Sequence, residues 1–447
     1  MLYNQNAGKL LPRSWSLSQI GEVCDILDSY RIPINSKDRD KRVAGKQESD
    51  LFPYYGATGQ VGSIDDYIFE GEHVLLGEDG APFLDPFKDK AYIVNGKFWV
   101  NNHAHIIKSL TSNKFILYYL NHIDYRYYVT GTTRLKLNQA SLKKITVRFP
   151  SYYEQHQIVS KIEELFSELD SATQSLKKAQ EQLKTYRQSV LKHAFEGKLT
   201  EAWRKRQKEA GNPPESAEKL LERIKQEREE HYQKQLAEWE KACEQAEAEG
   251  TKKPTKPKKP KDLPPLTKEE LADLPELPEG WAWVKLGNLS NIVGGVTKGR
   301  KLYNKETSEL YYLRVANVQD GYLDLSNLKK IEIPKEEEQK YLLEYGDLLY
   351  TEGGDKDKLG RGTVWKNQVY RCIHQNHIFR ARLISKDLLS LYFAYFTSCN
   401  TAKTYFFSNA KQTVNLASIN ITILSNLPVP ITCAKEQSQI TSEIVTV

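Results

Sequence analysis

PRSWSLSQIGEVCDI, residues 12–26, returns as PEGWAWVKLGNLSNI, residues 278–292. Pro12, Trp15, Ile20, Gly21, Val23 and Ile26 are matched at the same spacing by Pro278, Trp281, Leu286, Gly287, Leu289 and Ile292. A second match closes each copy: Phe149-Pro150 followed by Glu154, Gln155, Ile158 and Ile162, against Val429-Pro430 followed by Glu436, Gln437, Ile440 and Ile444. A repeat of this length is a domain rather than a solenoid period, so one kind of domain is presented twice. A partner with two similar parts is implied, and duplex DNA is the first to consider.

Outward from the repeat, 447 residues exceed one ordinary core and suggest roughly two to four domains. With 39% hydrophobic and 27% charged residues the composition is that of a globular protein, and no apolar run is long enough to span a bilayer. The opening MLYNQNAGKLLPRSW lacks the charged start, apolar stretch and small-residue cleavage site of a secretory signal, so the cytoplasm is expected. Cys24, Cys243, Cys372, Cys399 and Cys433 are odd in number and never spaced as C-x-x-C, which argues against a disulfide framework and a cysteine zinc site. A net charge of +6 permits nucleic acid without indicating it.

Residues 1–150 read as short strands between glycine turns, with a helix near Asn113 to Ile123. Residues 278–430 read alike: Tyr345 to Tyr350 echoes the strand at Glu72 to Leu76, and Ser385 to Ser398 echoes the helix. Between the copies the period changes. Over 151–199, Ile158, Ile162, Leu165, Leu169, Ala172, Leu176, Ala179, Leu183, Tyr186 and Val190 form an unbroken heptad seam among polar residues, which predicts a coiled-coil partner helix closed by Gly197. From 158 to 190 such a helix spans roughly 50 Å. Residues 200–277 form an insertion: 217–249 is highly charged with a ragged apolar period, a solvated helix, and TKKPTKPKKPK at 251–261 is an extended tether. Residues 431–447 begin a second helix. The expected fold is α+β: two similar α/β domains joined by a long coiled-coil helix, as a pseudo-twofold internal repeat.

Tests for catalytic chemistry come back empty. Asn212-Pro213-Pro214-Glu215 starts like the base-holding signature of adenine methyltransferases, but Glu215 replaces the aromatic and no cofactor loop precedes it. There is no G-x-x-x-x-G-K-[ST] loop and no G-x-S-x-G elbow. Cys372, His374 and His377, with His103 and His105 at the parallel place, lack a fourth ligand, so no metal is expected.

Binding chemistry remains. In the first copy Arg31, Lys37, Arg39, Lys41, Arg42 and Lys46 gather against Asp38 and Asp40, followed by Tyr54, Tyr55 and Gln60 and later by Thr132, Thr133 and Arg134. The second copy offers Lys298, Arg300 and Lys301, then Arg314 and Asn317, then Lys356, Lys358 and Arg361, then Lys411, Gln412, Thr413 and Asn415. Lysine and arginine near phosphates release counterions, and Arg, Asn, Gln and Thr read base edges. Recurrence of these clusters in both copies raises DNA contact above a chance scatter of charge.

Together the two Trp/Ile-Gly openings, Tyr54-Tyr55-Gly56-Ala57, the two closings and Ala194-Phe195-Glu196-Gly197-Lys198-Leu199 resemble the specificity subunit of a type I restriction-modification system over nearly the whole chain. The resemblance implies a non-catalytic subunit with two target recognition domains, each reading half of a bipartite asymmetric site in double-stranded DNA. Two methyltransferase (M) subunits would dock on the helix and restriction (R) subunits would join. No cofactor is expected in this chain; S-adenosylmethionine, ATP and Mg belong to the partners, with adenine methylated after extrusion from the duplex. Two departures stand out. The 200–277 connection is long, and the second helix stops at Val447, so that Ile440, Ile444 and Val447 answer only Ile158, Ile162 and Leu165. The uncovered seam then implies a truncated gene or a second chain supplying the missing helix; the weak stripe of 217–249 argues against it as a substitute. The alternatives are a non-enzymatic coiled-coil scaffold for protein partners and a self-sufficient enzyme, the latter lacking a cofactor loop and acid cluster.

Overall fold

The computed structural model describes residues 11–251, 253–260, 262–302, 305–354, 359–412 and 417–446. Contacts divide the chain between Lys177 and Lys178. In the first unit an antiparallel sheet has the order Cys24–Ile26, Ala104–Ser109, His73–Gly77, Ala91–Val94. His73–Gly77 is buried at every position because the helix Asn113–His122 covers one face and a second sheet the other. Phe115, Ile116 and Leu120 on that helix, at spacings that share one face, meet Val74, Leu76 and Ile107. The second unit repeats the sheet in the order Ser290–Gly294, Ile378–Leu383, Leu348–Thr351, Gly362–Val364, under the helix Ser390–Ser398.

The opening and closing motifs pair with each other. Ser16–Gln19 runs antiparallel to Thr146–Phe149 with Ser16 opposite Phe149, and Ala282–Lys285 runs antiparallel to Pro428–Ile431 with Ala282 opposite Ile431. This register corrects the match of Pro150 with Pro430: Thr432 is the equivalent of Pro150. Side chains agree, since Gln155 donates to the Pro150 carbonyl at 3.0 Å and Gln437 to the Thr432 carbonyl at 2.7 Å. Each tryptophan of the opening then clamps the glutamate of the closing. Trp15 Nε1 donates to Glu154 at 2.8 Å and Trp281 Nε1 to Glu436 at 2.9 Å.

Between them runs the central helix, Tyr152–Phe195. It ends as Gly197 adopts φ +71°, letting Lys198 N–H reach the His193 carbonyl at 2.9 Å and Gly197 N–H the Ala194 carbonyl at 3.1 Å. Val159 is buried and Ile158 half-buried in the first unit's core, whereas Leu191, Ala194 and Phe195 enter the second's. Ile162 and Val190 are half-buried, but Leu165, Leu169, Leu176, Leu183 and Tyr186 are exposed, with Phe166 beside them.

The insertion differs from its reading as a solvated helix and free tether. Ala217, Leu220 and Ile224 at the start of the helix Ala217–Ala248 are buried in the second unit's core. Further along, Tyr232, Leu236, Trp239, Cys243 and Ala246 make a 4-3-4-3 stripe, and the lysine–proline segment lies back along it. Trp239 Nε1 donates to the Pro254 carbonyl at 2.9 Å; Lys256 sits 5.3 Å from the Trp239 ring and Lys259 5.9 Å from that of Tyr232. Lys253 pairs with Glu247 at 2.9 Å, and Arg228 with Asp262 at 2.8 Å. Lys253, Lys256 and Lys259, three residues apart as on one side of an extended proline-rich segment, are the lysines turned toward the helix. The tether is a strap. Replacing Trp239 with alanine removes a hydrogen bond and a cation–π contact, together about 1.4 kcal/mol, or about ten-fold in strap opening. Lys253, Lys256 and Lys259 each precede proline and resist trypsin. Cleavage at Lys258–Lys259 should therefore rise about ten-fold in W239A; an unchanged rate would show that the strap is not held there.

Candidate nucleic-acid interface

Both copies build the same surface one step past the end of the central sheet pair. In the first, Gly77 faces Ala104; next, Glu78 N–H donates to the His103 carbonyl at 2.7 Å and Leu137 N–H to the Glu78 carbonyl at 2.7 Å. In the second, Thr351 faces Ile378; next, Glu352 N–H donates to the His377 carbonyl at 2.9 Å and Ile419 N–H to the Glu352 carbonyl at 2.7 Å. A hairpin leans on each. Thr130 pairs with Lys136 and Lys136 bridges to Asp79; Lys411–Gln412 pairs with Ala417–Ser418, which pairs with Gly353–Gly354. Lys411 and Gln412 take the places of Thr130 and Gly131, at the foot of the hairpin that carries Thr132, Thr133 and Arg134, and Lys411, Gln412, Thr132, Thr133 and Arg134 are exposed.

Electrostatics distinguish held cations from available ones. Asp79 Oδ1 accepts from Arg134 at 2.7 Å and from His103 Nδ1 at 2.8 Å, and Lys136 pairs with Glu78 at 3.2 Å. Arg31 turns inward, donating to Glu78 at 2.7 Å and to the Ala104 carbonyl at 3.0 Å. Behind it His105 bridges Asp28 through Nδ1 at 2.6 Å and the Leu137 carbonyl through Nε2 at 2.8 Å. Burial pushes the Asp28 carboxyl up, but the hydrogen bond from His105 and the charges of His105 and Arg31 outweigh it and hold it below its usual range. Asp28, Glu78 and His105 are the one metal-capable grouping among the described residues, and these contacts already occupy them. Arg31 is therefore a scaffold ion, not an exposed phosphate contact.

The helix Ser36–Val43 carries the other cations of the first copy, its N-terminus capped by Asn35 accepting from Asp38 N–H at 2.9 Å. Arg39 lies 5.0 Å from the Tyr54 ring and Arg42 5.1 Å from the Trp99 ring, while Lys37 and Lys41 are exposed. Lys46 and Arg42 each donate to Asp65 at 2.6 Å and hold its carboxyl below the usual range. Tyr54 is buried, with its phenol pKa pushed up by burial, so it is the platform for Arg39 and is unable to stack on a base. Tyr55 packs half-buried against Tyr92 and Phe98, whereas Gln60 is exposed.

In the second copy Lys298 and Lys301 are exposed and Arg300 pairs with Glu337 at 2.8 Å. Asn317 is buried, closing its own turn by accepting from Arg314 N–H and donating to the Asp324 carbonyl, both at 2.8 Å; it too leaves the set of base readers. Arg314 donates to the Asn327 carbonyl at 2.8 Å and Arg361 to Gln319 at 2.6 Å. Lys356, Lys358, Thr413 and Asn415 lie outside the described residues. His374 and Cys372 are strand residues: burial drives the imidazole pKa down to about 4 and the thiol up to about 12.

Sequence reasoning missed Glu78, Asp79 and Lys136, and Glu352. A signal was present: Glu-x-Gly ends the strand in both copies, Glu78 to Gly80 and Glu352 to Gly354.

No helix among the described residues is long and apolar enough to cross a membrane. By shape the chain is similar to a solved chain from a structural study of the complex assembly and conformational transition of the type I R-M system: TM-score 0.56, 16% identity, 98% of this chain and 91% of that one. In sequence it is 34% identical over 148 residues to a Haemophilus influenzae protein carrying the name of a type I restriction enzyme specificity subunit, 33% of this chain and 36% of that one. It is 27% identical over 202 residues to the EcoDI specificity subunit of Escherichia coli, 44% of this chain and 41% of that one. The chain thus spans less than half the length of these relatives. The model of the type I restriction modification DNA specificity domain matches residues 12–183 and again 278–446, and with the duplicated hairpin surface it places the chain in that family.

Proposed function

We propose that this chain is the non-catalytic DNA-recognition subunit of a type I restriction-modification complex, acting in the cytoplasm, each domain reading one half of a bipartite asymmetric site. The observation that carries this is the doubled hairpin surface: two copies of one surface on one chain suit a ligand with two similar grooves. Its exposed Lys411, Gln412, Thr132 and Thr133, together with Lys37, Lys41, Gln60, Lys298 and Lys301, supply donors for phosphates and base edges, and Arg134 joins them on exchanging Asp79 for a phosphate. The exposed seam of the central helix is the docking face for two methyltransferase subunits, or for a helix from a second chain, and restriction subunits join the assembly. S-adenosylmethionine, ATP and Mg act in those partners. A protein scaffold would account for the seam but leaves the doubled hairpin without a use.

Co-expression with a type I methyltransferase subunit from the same genome, followed by mapping of N6-methyladenine, tests the proposal. One split, asymmetric methylated motif is expected. A folded complex that methylates no such motif would overturn it.

A further inference from the structure

His103 and His377 lie outside the set of cations and base readers assigned to the hairpins, yet they occupy one position of the repeat. Pairs across the first sheet run from Val74 with Ile107 to Gly77 with Ala104, and across the second from Leu348 with Ala381 to Thr351 with Ile378. One step further the pairs are Glu78 with His103 and Glu352 with His377, joined by the same backbone hydrogen bond. Each imidazole stands beside the basic hairpin and is half exposed, 48% for the His103 side chain and 52% for His377.

Each ring is also held the same way by a different residue. His103 Nδ1 contacts Asp79 at 2.8 Å, one residue past the register partner, and His377 Nδ1 contacts Glu352 at 2.5 Å, the register partner itself. An exposed histidine–carboxylate contact of this kind contributes only about 0–1 kcal/mol to stability, too little to explain a doubled arrangement. What the two copies share is the commitment of Nδ1 to a carboxylate. With Nδ1 committed to a carboxylate, Nε2 lies on the far edge; Arg134 shares Asp79 with His103, and the Asn376 side-chain amide lies 3.4 Å from Nε2 of His377.

We infer that His103 and His377 are a repeat-equivalent pair of DNA contacts, each turning the Nε2 edge of its ring, opposite the carboxylate on Nδ1, to a backbone phosphate oxygen of its half-site. The inference rests on the proposed DNA-reading function. A phosphate contact positions the domain on the duplex and leaves the choice of bases to the neighbouring hairpin.

The test uses the full chain in complex with its methyltransferase and a duplex carrying the motif found by methylation mapping. Affinity is measured across a salt series. His103→Gln and His377→Gln should each weaken binding about five- to thirty-fold and flatten the slope of log K against log salt by about 0.9, one phosphate contact fewer. His103→Lys and His377→Lys should restore the slope, which a purely structural histidine would not allow. Wild-type affinity and slope in both glutamine variants would overturn the inference while leaving DNA reading intact. A wild-type complex that ignores the duplex would overturn both.

Discussion

Removing Leu169 to Ser175 from the central helix is expected to shorten the unread spacer of the DNA site by about three base pairs while both half-site sequences stay the same. Seven residues are about 10.5 Å of helix, and a base pair rises about 3.4 Å. The choice of seven matters. Leu176 moves into the place of Leu169, so the apolar seam stays continuous from Leu165 onward and the docking face survives. Removing five residues would instead turn the seam by more than a third of a turn, about 140°, and is expected to abolish assembly with the methyltransferase. Sequencing methylated genomic DNA from cells expressing each deletion reads both outcomes. An unchanged spacer in an active complex would show that helix length does not set the spacing.

Glu436→Ala is expected to destabilise the second domain by about 3–5 kcal/mol, the cost of removing one partner of a buried ion pair. Glu436 is 1% exposed and serves Trp281, Thr432, Thr200 and Arg204, the last through a 2.6 Å contact. Its loss strands the Arg204 guanidinium, most of it out of water. The equivalent Glu154 is only half-buried and serves Trp15 and, at 3.4 Å, Ser14, so Glu154→Ala should cost about 1 kcal/mol. Denaturant unfolding of the two variants beside the parent chain measures the contrast; equal losses would mean that burial of the clamp does not govern its strength.

The repeat and the central helix are legible in the sequence because both are periodic. Identical spacings of Trp, Gly and Ile, and apolar residues at 4-3-4-3, survive any choice of surface residues between them. Tyr232 to Ala246 has the same 4-3-4-3 spacing, yet in sequence it reads as ragged, since Arg228 interrupts the stripe after Ile224 and the charged residues around it outnumber the apolar ones. The recognition surface is legible in outline only. Thr132 to Arg134 and Lys411 to Gln412 are polar residues of the same hairpin in the two copies, with Lys411 in the place of Thr130. Whether a cation is free is another matter, decided by acids far away in the chain: Glu78 for Arg31, Asp65 for Arg42, Glu337 for Arg300. Tyr54 and Asn317 have the polar tips of base readers, and only the packing around them shows that those tips are spent inside.

The strap over Tyr232 and Trp239 sets two different periods side by side. Three strap residues advance about 9.3 Å and one heptad of helix about 10.5 Å, so Lys259 over Tyr232 and Lys256 over Trp239 fall nearly in step. Such a pairing behaves as a vernier. An insertion of three residues returns the lysines beyond it to the helix face, while one or two extra residues turn those lysines away, so the strap admits changes of length in steps of three.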